Sequence, residues 1–126
     1  MKNLKFKIMA QFRFMDLEIW KESINMNDQL FDLADALSDA RSYRVAEQLR
    51  GASLSISNNI AEGSGSFSSK DFANFLNIAR RSVFETANIS FVVYRRNFID
   101  IEKLNHILND LELLSKKITN FRKSIL

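Results

Sequence analysis

Residues 53–72, SLSISNNIAEGSGSFSSKDF, carry the clearest information about the fold of this 126-residue chain. Apolar and small polar residues are interleaved from Leu54 to Ile60, and Gly63 and Gly65 follow. Such a segment could be a catalytic loop, a phosphate-binding loop or a helix with one polar face. We predict a helix that ends near Glu62, because the two glycines suit the left-handed turn that closes many helices.

On a helix, this stretch and the residues before it form two neighbouring stripes, because residues three or four apart share a face. The apolar stripe contains Val45, Leu49, Ala52, Ile56 and Ile60. The polar stripe contains Gln48, Gly51, Ser55, Asn59 and Glu62. Small residues allow another helix to approach closely, and the larger polar groups must find partners if they are buried.

We therefore predict a polar seam at the contact between the second and third helices. The polar seam consists of Ser55, Asn59, Glu62, Arg80, Ser82 and Glu85. We expect Asn59 or Glu62 to hydrogen-bond to a group on the third helix. For Glu62, an ion pair with Arg50, Arg80 or Arg81 is the favoured interpretation.

Apolar residues at helical spacing also mark residues 16–37, 72–94 and 101–125, and they place Tyr43 and Phe91 on apolar stripes. These patterns are typical of amphipathic helices. Short links between long helices imply antiparallel neighbours. The sequence thus predicts an all-α, up-and-down antiparallel four-helix bundle over residues 14–126, preceded by an extended or disordered N-terminal arm, residues 1–13.

Side chains suited to capping helix N-termini occur near the predicted boundaries. Ser38 and Asp39 could cap the second helix, because their oxygens can accept from its free N–H groups. Ser68, with Asp71 three residues later, resembles a capping box at the start of the third helix. Asp100 could cap the fourth.

Composition excludes several kinds of protein. The chain has no cysteine, which excludes disulfides and thiolate metal sites and is compatible with the cytoplasm, where we expect the protein. With no proline and three glycines, little interrupts a helical backbone. No apolar run reaches transmembrane length. The net charge of +3 permits contact with nucleic acid without requiring it.

Catalytic signals are weak. Ser55 or Ser57 would need a positioned base to act as a nucleophile, and the single histidine, His106, falls in the fourth helix. Glu62 and Glu85 could form a carboxylate pair for acid–base chemistry, although a structural ion pair is the favoured interpretation of Glu62. We expect no enzymatic activity.

No cofactor or metal is predicted either. The segment Gly63-Ser64-Gly65 is too short for a phosphate-binding loop and lacks its lysine. No group of His, Asp and Glu residues has the spacing of metal ligands.

The arginines support nucleic-acid binding better than any residues of the chain support catalysis or metal binding. The candidate contacts are Arg41, Arg44, Arg80, Arg81, Arg95 and Arg96. Gathered on one surface they could follow a phosphate backbone, with exposed aromatic side chains available for stacking. A solvated face paired with acidic residues is an equally good interpretation of the charges alone.

Phenylalanine is abundant, with eleven residues in the chain. Five of them fall outside the main apolar stripes of the helices: Phe12, Phe14, Phe67, Phe84 and Phe98. Because exposed apolar patches mark interaction sites, we expect some of them to cover a subunit interface.

The run SLSISNNIAEGSGSFSSKDFANFLNIARRS resembles the signature of the four-helix bundle proteins known as 23S rRNA intervening-sequence proteins. That signature reads S-I-x-x-N-I-A-E-G-x-G, then F-x-x-F-L-x-I-A-R-x-S and a later Glu. Its matches are Ser55, Ile56, Asn59, Ile60, Ala61, Glu62, Gly63 and Gly65, then Phe72, Phe75, Leu76, Ile78, Ala79, Arg80, Ser82 and Glu85. Upstream, Phe14, Asp16, Leu17, Trp20 and Gln48 also match, whereas Gly51 and Arg81 depart from the family pattern.

The resemblance implies a left-handed bundle that assembles into a ring, commonly a homopentamer, in a bacterial family without an established activity. A related branch, the accessory protein of diversity-generating retroelements, is a basic pentamer that binds a reverse transcriptase and nucleic acid. We therefore expect a non-enzymatic oligomer associated with RNA or a ribonucleoprotein. The alternative is a protein-binding scaffold, or an accessory subunit of a nucleic-acid enzyme such as a reverse transcriptase.

Overall fold

The computed structural model describes residues 7–126 and contains four long helices joined by short links. In chain order they are α1 (Glu18–Asp39), α2 (Tyr43–Ser64), α3 (Ser69–Arg95) and α4 (Ile101–Ile125). Each helix packs against the next, and α4 returns to pack against α1. No strand occurs in this part of the chain. The predicted all-α four-helix bundle is confirmed.

The N-terminal segment lies outside the bundle helices. Residues 7–12 are exposed and have no regular secondary structure, and a single turn of 3-10 helix, Arg13–Asp16, leads into α1. The ring of Phe14 packs against Trp20 on α1, with centroids 4.9 Å apart. Residues 1–6 of the predicted arm lie outside the described residues.

Buried positions follow alternating steps of three and four residues along the helices. On α3 this series is Phe72, Leu76, Ala79, Val83, Thr86, Ser90 and Val93, and Ala73, Ser82 and Ile89 are buried beside it. On α4 the series is Leu104, Ile107, Leu111, Leu114 and Ile118, and Ser115 is buried beside it. This heptad spacing is typical of left-handed supercoiled bundles. None of the helices within residues 7–126 has the length and apolar character needed to cross a membrane.

Two aromatic residues assigned to apolar stripes lie outside the core. Tyr43 is 61% exposed and Phe91 is 49% exposed. On α3 the buried face passes instead through Thr86 and Ser90, whose hydroxyls donate to the backbone carbonyls of Ser82 and Thr86, at 2.7 and 2.9 Å. Small polar residues can occupy this face because their own helix satisfies them, so Phe91, one position further along, is turned outward.

Two of the predicted helix caps are present. The side chain of Ser68 accepts a hydrogen bond from the backbone N–H of Asp71 at 3.1 Å, at the start of α3. Asp100 accepts from the backbone N–H of Lys103 at 2.8 Å, at the start of α4. Both residues are thus confirmed as N-caps, whereas the second hydrogen bond of a capping box, from the backbone N–H of Ser68 to the side chain of Asp71, is not formed.

The prediction of caps at Ser38 and Asp39 is wrong, because α1 continues through both residues. Arg41 adopts a left-handed conformation, with φ of 64°, and its backbone N–H donates to the carbonyl of Ser38 at 2.9 Å. This turn closes α1 and delays the start of α2 until after Ser42. The side chain of Ser42 makes no capping hydrogen bond.

The left-handed turn predicted at Gly63 and Gly65 is also wrong. Neither glycine has a positive φ, and α2 continues through Ser64. Gly63 is buried inside the helix, where it faces Phe72 and Phe75 of α3. Its missing side chain is therefore used for close helix packing rather than for a turn.

Candidate functional site

The polar seam joins α2 to α3 through a pair of serines. The hydroxyl oxygens of Ser55 and Ser82 lie 2.8 Å apart. The Ser82 hydroxyl also donates to the carbonyl of Ile78 at 3.0 Å. The amide nitrogen of Asn59 donates to the carbonyl and the hydroxyl of Ser55, at 2.8 and 3.0 Å. The hydrogen bonds of the Asn59 side chain thus remain within α2, and the link between helices is the serine pair.

The other members of the seam do not join this network. Glu62 and Glu85 are exposed, and neither forms an ion pair or a side-chain hydrogen bond within residues 7–126. The predicted ion pair of Glu62 with an arginine is therefore wrong. Arg50 instead pairs with Asp35 and Glu47, at 2.7 and 2.6 Å.

Arg80 is directed elsewhere. Its guanidinium carbon lies 4.8 Å from the ring centroid of Phe84, which is a cation–π arrangement. The aromatic face thus takes the place of the carboxylate that the sequence suggested for this arginine.

A buried polar network that the sequence analysis missed connects α1 to α2. The amide nitrogen of Asn27 donates to the hydroxyl of Ser57 at 2.9 Å, and its carbonyl oxygen accepts from the hydroxyl of Ser53 at 2.7 Å. All three side chains are buried. The signal was the heptad spacing, since Asn27 lies four residues after Ser23 and three before Leu30 on the buried face of α1. A buried asparagine at such a position fixes helix register in coiled coils.

Three arginines meet at one end of the bundle, two near the start of α2 and one directly after α3. Here a groove of about 410 Å³, which we call the basic groove, lies between the start of α2 and the end of α3. Its lining includes Arg41, Arg44 and Arg96, together with Tyr43, Val92 and Phe98. All six side chains are exposed, so the arginines can reach a ligand in solution.

The charge of the basic groove is not neutralised by its surroundings. No carboxylate lines it, and no ion pair within residues 7–126 involves Arg41, Arg44 or Arg96. The first turn of α2 carries no acidic residue. Arg95 is exposed beside Arg96. The lining of the basic groove therefore carries three arginines without an ion-pair partner in the described part of the chain.

Arg80 and Arg81 do not belong to the basic groove. They precede Arg95 by about four helical turns, or roughly 22 Å at 1.5 Å per residue. Arg81 is exposed, whereas Arg80 is half-buried and lines a separate pocket between α3 and α4. The structure thus brings together Arg41, Arg44 and Arg96 and separates them from the other arginine pair.

No nucleophile and base are assembled in the described part of the chain. Ser57 donates to the carbonyl of Leu54 at 3.1 Å and accepts from Asn27. His106 is exposed on α4, with its Nε2 3.5 Å from a carboxylate oxygen of Asp110. Across residues 7–126, no three His, Asp or Glu side chains are grouped in a way that could hold a metal ion.

Heptad packing, a serine-linked seam and an unneutralised basic groove define a small four-helix-bundle protein. The chain belongs to the 23S rRNA-intervening sequence protein family, whose sequence model matches residues 15–120. The resemblance drawn from the sequence is thereby confirmed.

A solved structure supports the same assignment. The chain is similar to a protein of unknown function from the S23 ribosomal protein family of Bacteroides thetaiotaomicron, whose crystal structure was determined at 1.70 Å. The TM-score is 0.79 at 25% sequence identity, and the alignment covers 83% of this chain and 98% of the other. A comparison with curated proteins found no match.

Proposed function

We propose that this protein is a non-enzymatic, oligomeric bundle that binds RNA, or the RNA of a ribonucleoprotein, through the basic groove. The observation that carries the proposal is the convergence of Arg41, Arg44 and Arg96 beside exposed aromatic rings. Arginine presents forked donors that match phosphate oxygens. Tyr43 and Phe98 offer surfaces on which unpaired bases can stack.

The distribution of ion pairs favours RNA binding over the alternative that the arginines of the basic groove simply form a solvated face. Arg50, which links α1 and α2, has carboxylate partners in Asp35 and Glu47. The arginines of the basic groove have none within residues 7–126. The family name, which refers to sequences that interrupt 23S rRNA, supports an RNA ligand.

Oligomerisation is part of the proposal. Phe84 and Phe91 are 56% and 49% exposed and lie about two turns apart on the same face of α3. We propose that a second copy of the chain covers this face, in the homopentameric ring that the family resemblance implies. A ring would repeat the basic groove around its axis, so that several weak phosphate contacts act together.

Fluorescence anisotropy with a labelled, structured rRNA fragment tests the RNA ligand. Replacing Arg41, Arg44 and Arg96 together by glutamine should weaken binding at least tenfold at low salt. The matched control is Arg81→Gln, which removes an exposed arginine of α3 outside the groove and should leave the affinity nearly unchanged. Equal affinity of the triple variant and the parent would contradict the proposal.

A protein-binding scaffold is the second candidate, including an accessory subunit of a nucleic-acid enzyme such as a reverse transcriptase. It is favoured by a groove of about 340 Å³ between α3 and α4, where exposed Phe84 lies beside Ala87 and Leu108. Absence of RNA binding by the parent protein even at low salt would favour this candidate.

A further inference from the structure

We infer that a second pocket, between α3 and α4 and separate from the basic groove, binds a single phosphate group. Three cationic side chains line it: Arg80 from α3, and Arg122 and Lys123 from the last turns of α4. Asn77 also lines the pocket, and its side-chain amide can donate hydrogen bonds to a bound anion. No residue of this pocket lines the basic groove.

The positive charge of this pocket has no counter-charge in the described part of the chain. No carboxylate lines the pocket, and Arg80, Arg122 and Lys123 form no ion pair within residues 7–126. Like charges that line one pocket repel one another, and the repulsion is greater for Arg80 and Arg122, which are half-buried and less screened by water. An anion between them would relieve that repulsion.

The arginines also present donors that lack acceptors. The Nε of Arg80 is buried and has no hydrogen-bond partner, so the terminal nitrogens of this arginine are the donors that an anion in the pocket would meet. The Nε of Arg122 donates to the backbone carbonyl of Ala73 at 3.0 Å. That bond anchors the guanidinium of Arg122 and leaves its two terminal nitrogens available as donors.

The size of the pocket suits a small group. Its volume is about 190 Å³, below the roughly 300–1,000 Å³ typical of pockets for whole drug-sized ligands. A tetrahedral phosphate group satisfies the charge, the donors and the size together. The group can come from inorganic phosphate or a terminal phosphate, or from the backbone of a nucleic acid.

Equilibrium dialysis with radiolabelled inorganic phosphate, at constant ionic strength set with chloride, tests this site. We expect saturable binding of one phosphate per chain. Arg80→Gln and Arg122→Gln should each weaken binding by about tenfold or more, because each removes charge-assisted hydrogen bonds. Arg80→Lys should also weaken it, because lysine keeps the charge but lacks the forked donors.

Controls separate this site from the basic groove. The Arg41, Arg44 and Arg96 triple glutamine variant should bind phosphate like the parent, whatever its affinity for RNA. Lys123→Gln changes an exposed position and should also weaken phosphate binding. It therefore tests the site if either arginine variant loses helical circular dichroism and so fails to fold. Binding that does not saturate, or that survives all the pocket substitutions, would overturn the inference.

A competition experiment identifies the source of the phosphate group. A tetranucleotide with a 5′ phosphate and the same tetranucleotide without it are compared as competitors of the labelled phosphate. Displacement that requires the 5′ phosphate indicates a terminal or free phosphate as the natural ligand. Equal displacement by both indicates the nucleic-acid backbone.

Discussion

Gly63 on α2 and Phe75 on α3 are so close that no methyl group fits between them. A Cβ placed on Gly63 would lie 2.6 Å from the Cβ of Phe75 and 2.8 Å from a ring carbon of Phe72. The Cβ of Phe75 is attached directly to the backbone, so a change of rotamer cannot move it away. Any larger residue at position 63 must therefore push the two helices apart.

We predict that Gly63→Ala destabilises the bundle by about 1–2 kcal/mol. Overpacking a well-packed contact costs roughly 1–3 kcal/mol of stability. The higher helix propensity of alanine offsets at most about 1 kcal/mol of that loss. Urea unfolding followed by circular dichroism measures the net change.

Gly51→Ala is the matched control on the same helix. Gly51 is exposed within α2, and a Cβ built there would meet nothing within 4 Å. Its replacement by alanine should stabilise the protein by about 0.5–1 kcal/mol, the usual difference between the two residues inside a helix. If both variants change stability in the same direction, Gly63 does not set the distance between α2 and α3.

The sequence revealed the importance of Gly63 but not its reason. Glycine serves both left-handed turns and close backbone approach, and only the position of α3 distinguishes the two uses. Within residues 7–126 the left-handed positions are occupied by Arg41 and Asn97 instead. Local signals were sufficient for the helices themselves and for the caps at Ser68 and Asp100, because both depend on residues a few positions apart.

The functional surfaces depended on contacts that the sequence could not supply. Arg41 and Arg44 meet Arg96 only because α2 and α3 are neighbours in the bundle. Within the doublet of Arg80 and Arg81, the 100° step of a helix separates a half-buried from an exposed side chain. Asn27 was overlooked because a polar residue interrupts an apolar stripe in sequence even where the fold buries and satisfies it.

We predict that Asn27→Ala costs about 1–3 kcal/mol of stability. The substitution leaves the buried hydroxyl of Ser53 without the acceptor it now has at 2.7 Å, and an unsatisfied buried donor carries its full desolvation penalty. Thermal and urea unfolding measure the loss. In a double-mutant cycle, Ser53→Ala should cost much less in the Asn27→Ala background than in the parent.

Asn59→Ala provides the comparison. Its side-chain hydrogen bonds end on Ser55 of its own helix, so its removal should cost about 0.5 kcal/mol or less, at the low end for an intramolecular hydrogen bond. A loss from Asn59→Ala as large as that from Asn27→Ala would mean that the seam, and not the α1–α2 network, contributes the larger polar stabilisation.

Charged substitutions on α3 should break the proposed oligomer. Phe84→Glu or Phe91→Glu would place a carboxylate in an apolar interface, where desolvation of an unpaired charge is costly. Light scattering at micromolar concentration should give a larger mass for the parent than for either variant, with helical circular dichroism retained. Phe67→Glu, on the fully exposed link before α3, should leave the mass unchanged. A monomeric parent, or dissociation caused by Phe67→Glu alone, would contradict an interface on α3.

Lys117 contributes to the packing of α4 on α1, and its contribution to stability depends on pH in the alkaline range. Its ammonium group donates to Glu18 at 3.0 Å and to Glu22 at 3.0 and 3.1 Å. The hydrogen bonds to Glu22 and Glu18 raise the pKa of Lys117 above its ordinary value of 10.5. Since the folded state binds this proton more tightly, the contribution is complete below pH 10.5 and is lost as the pH rises through the raised pKa.

We therefore predict that Lys117→Gln is less stable than the parent at pH 8 and that the difference shrinks at pH 11. Urea unfolding of both proteins at the two pH values measures it, and the comparison with the variant removes the effect of the other titrating lysines. Lys116→Gln is the control, because Lys116 is exposed and its nitrogen lies 3.9 Å from Glu112. A difference for Lys117→Gln that is as large at pH 11 as at pH 8 would show that the ion pairs contribute nothing beyond packing of the side chain.

The salt dependence of RNA binding should distinguish phosphate contacts in the basic groove from general attraction to a basic protein. Each phosphate neutralised by a lysine or arginine contributes roughly 0.7–0.9 to the slope of log K against log salt concentration. Replacing Arg41, Arg44 and Arg96 by glutamine should therefore reduce the magnitude of the slope by about two to three per groove engaged. Charge reversal at Arg95 and Arg96 should weaken binding without changing the oligomeric mass or the melting temperature. Arg81→Gln, which removes the same charge from outside the groove, should leave the slope nearly constant. If Arg81→Gln lowers the slope as much per charge as the groove substitutions do, the RNA responds to the net charge of the protein and not to the arrangement of these arginines.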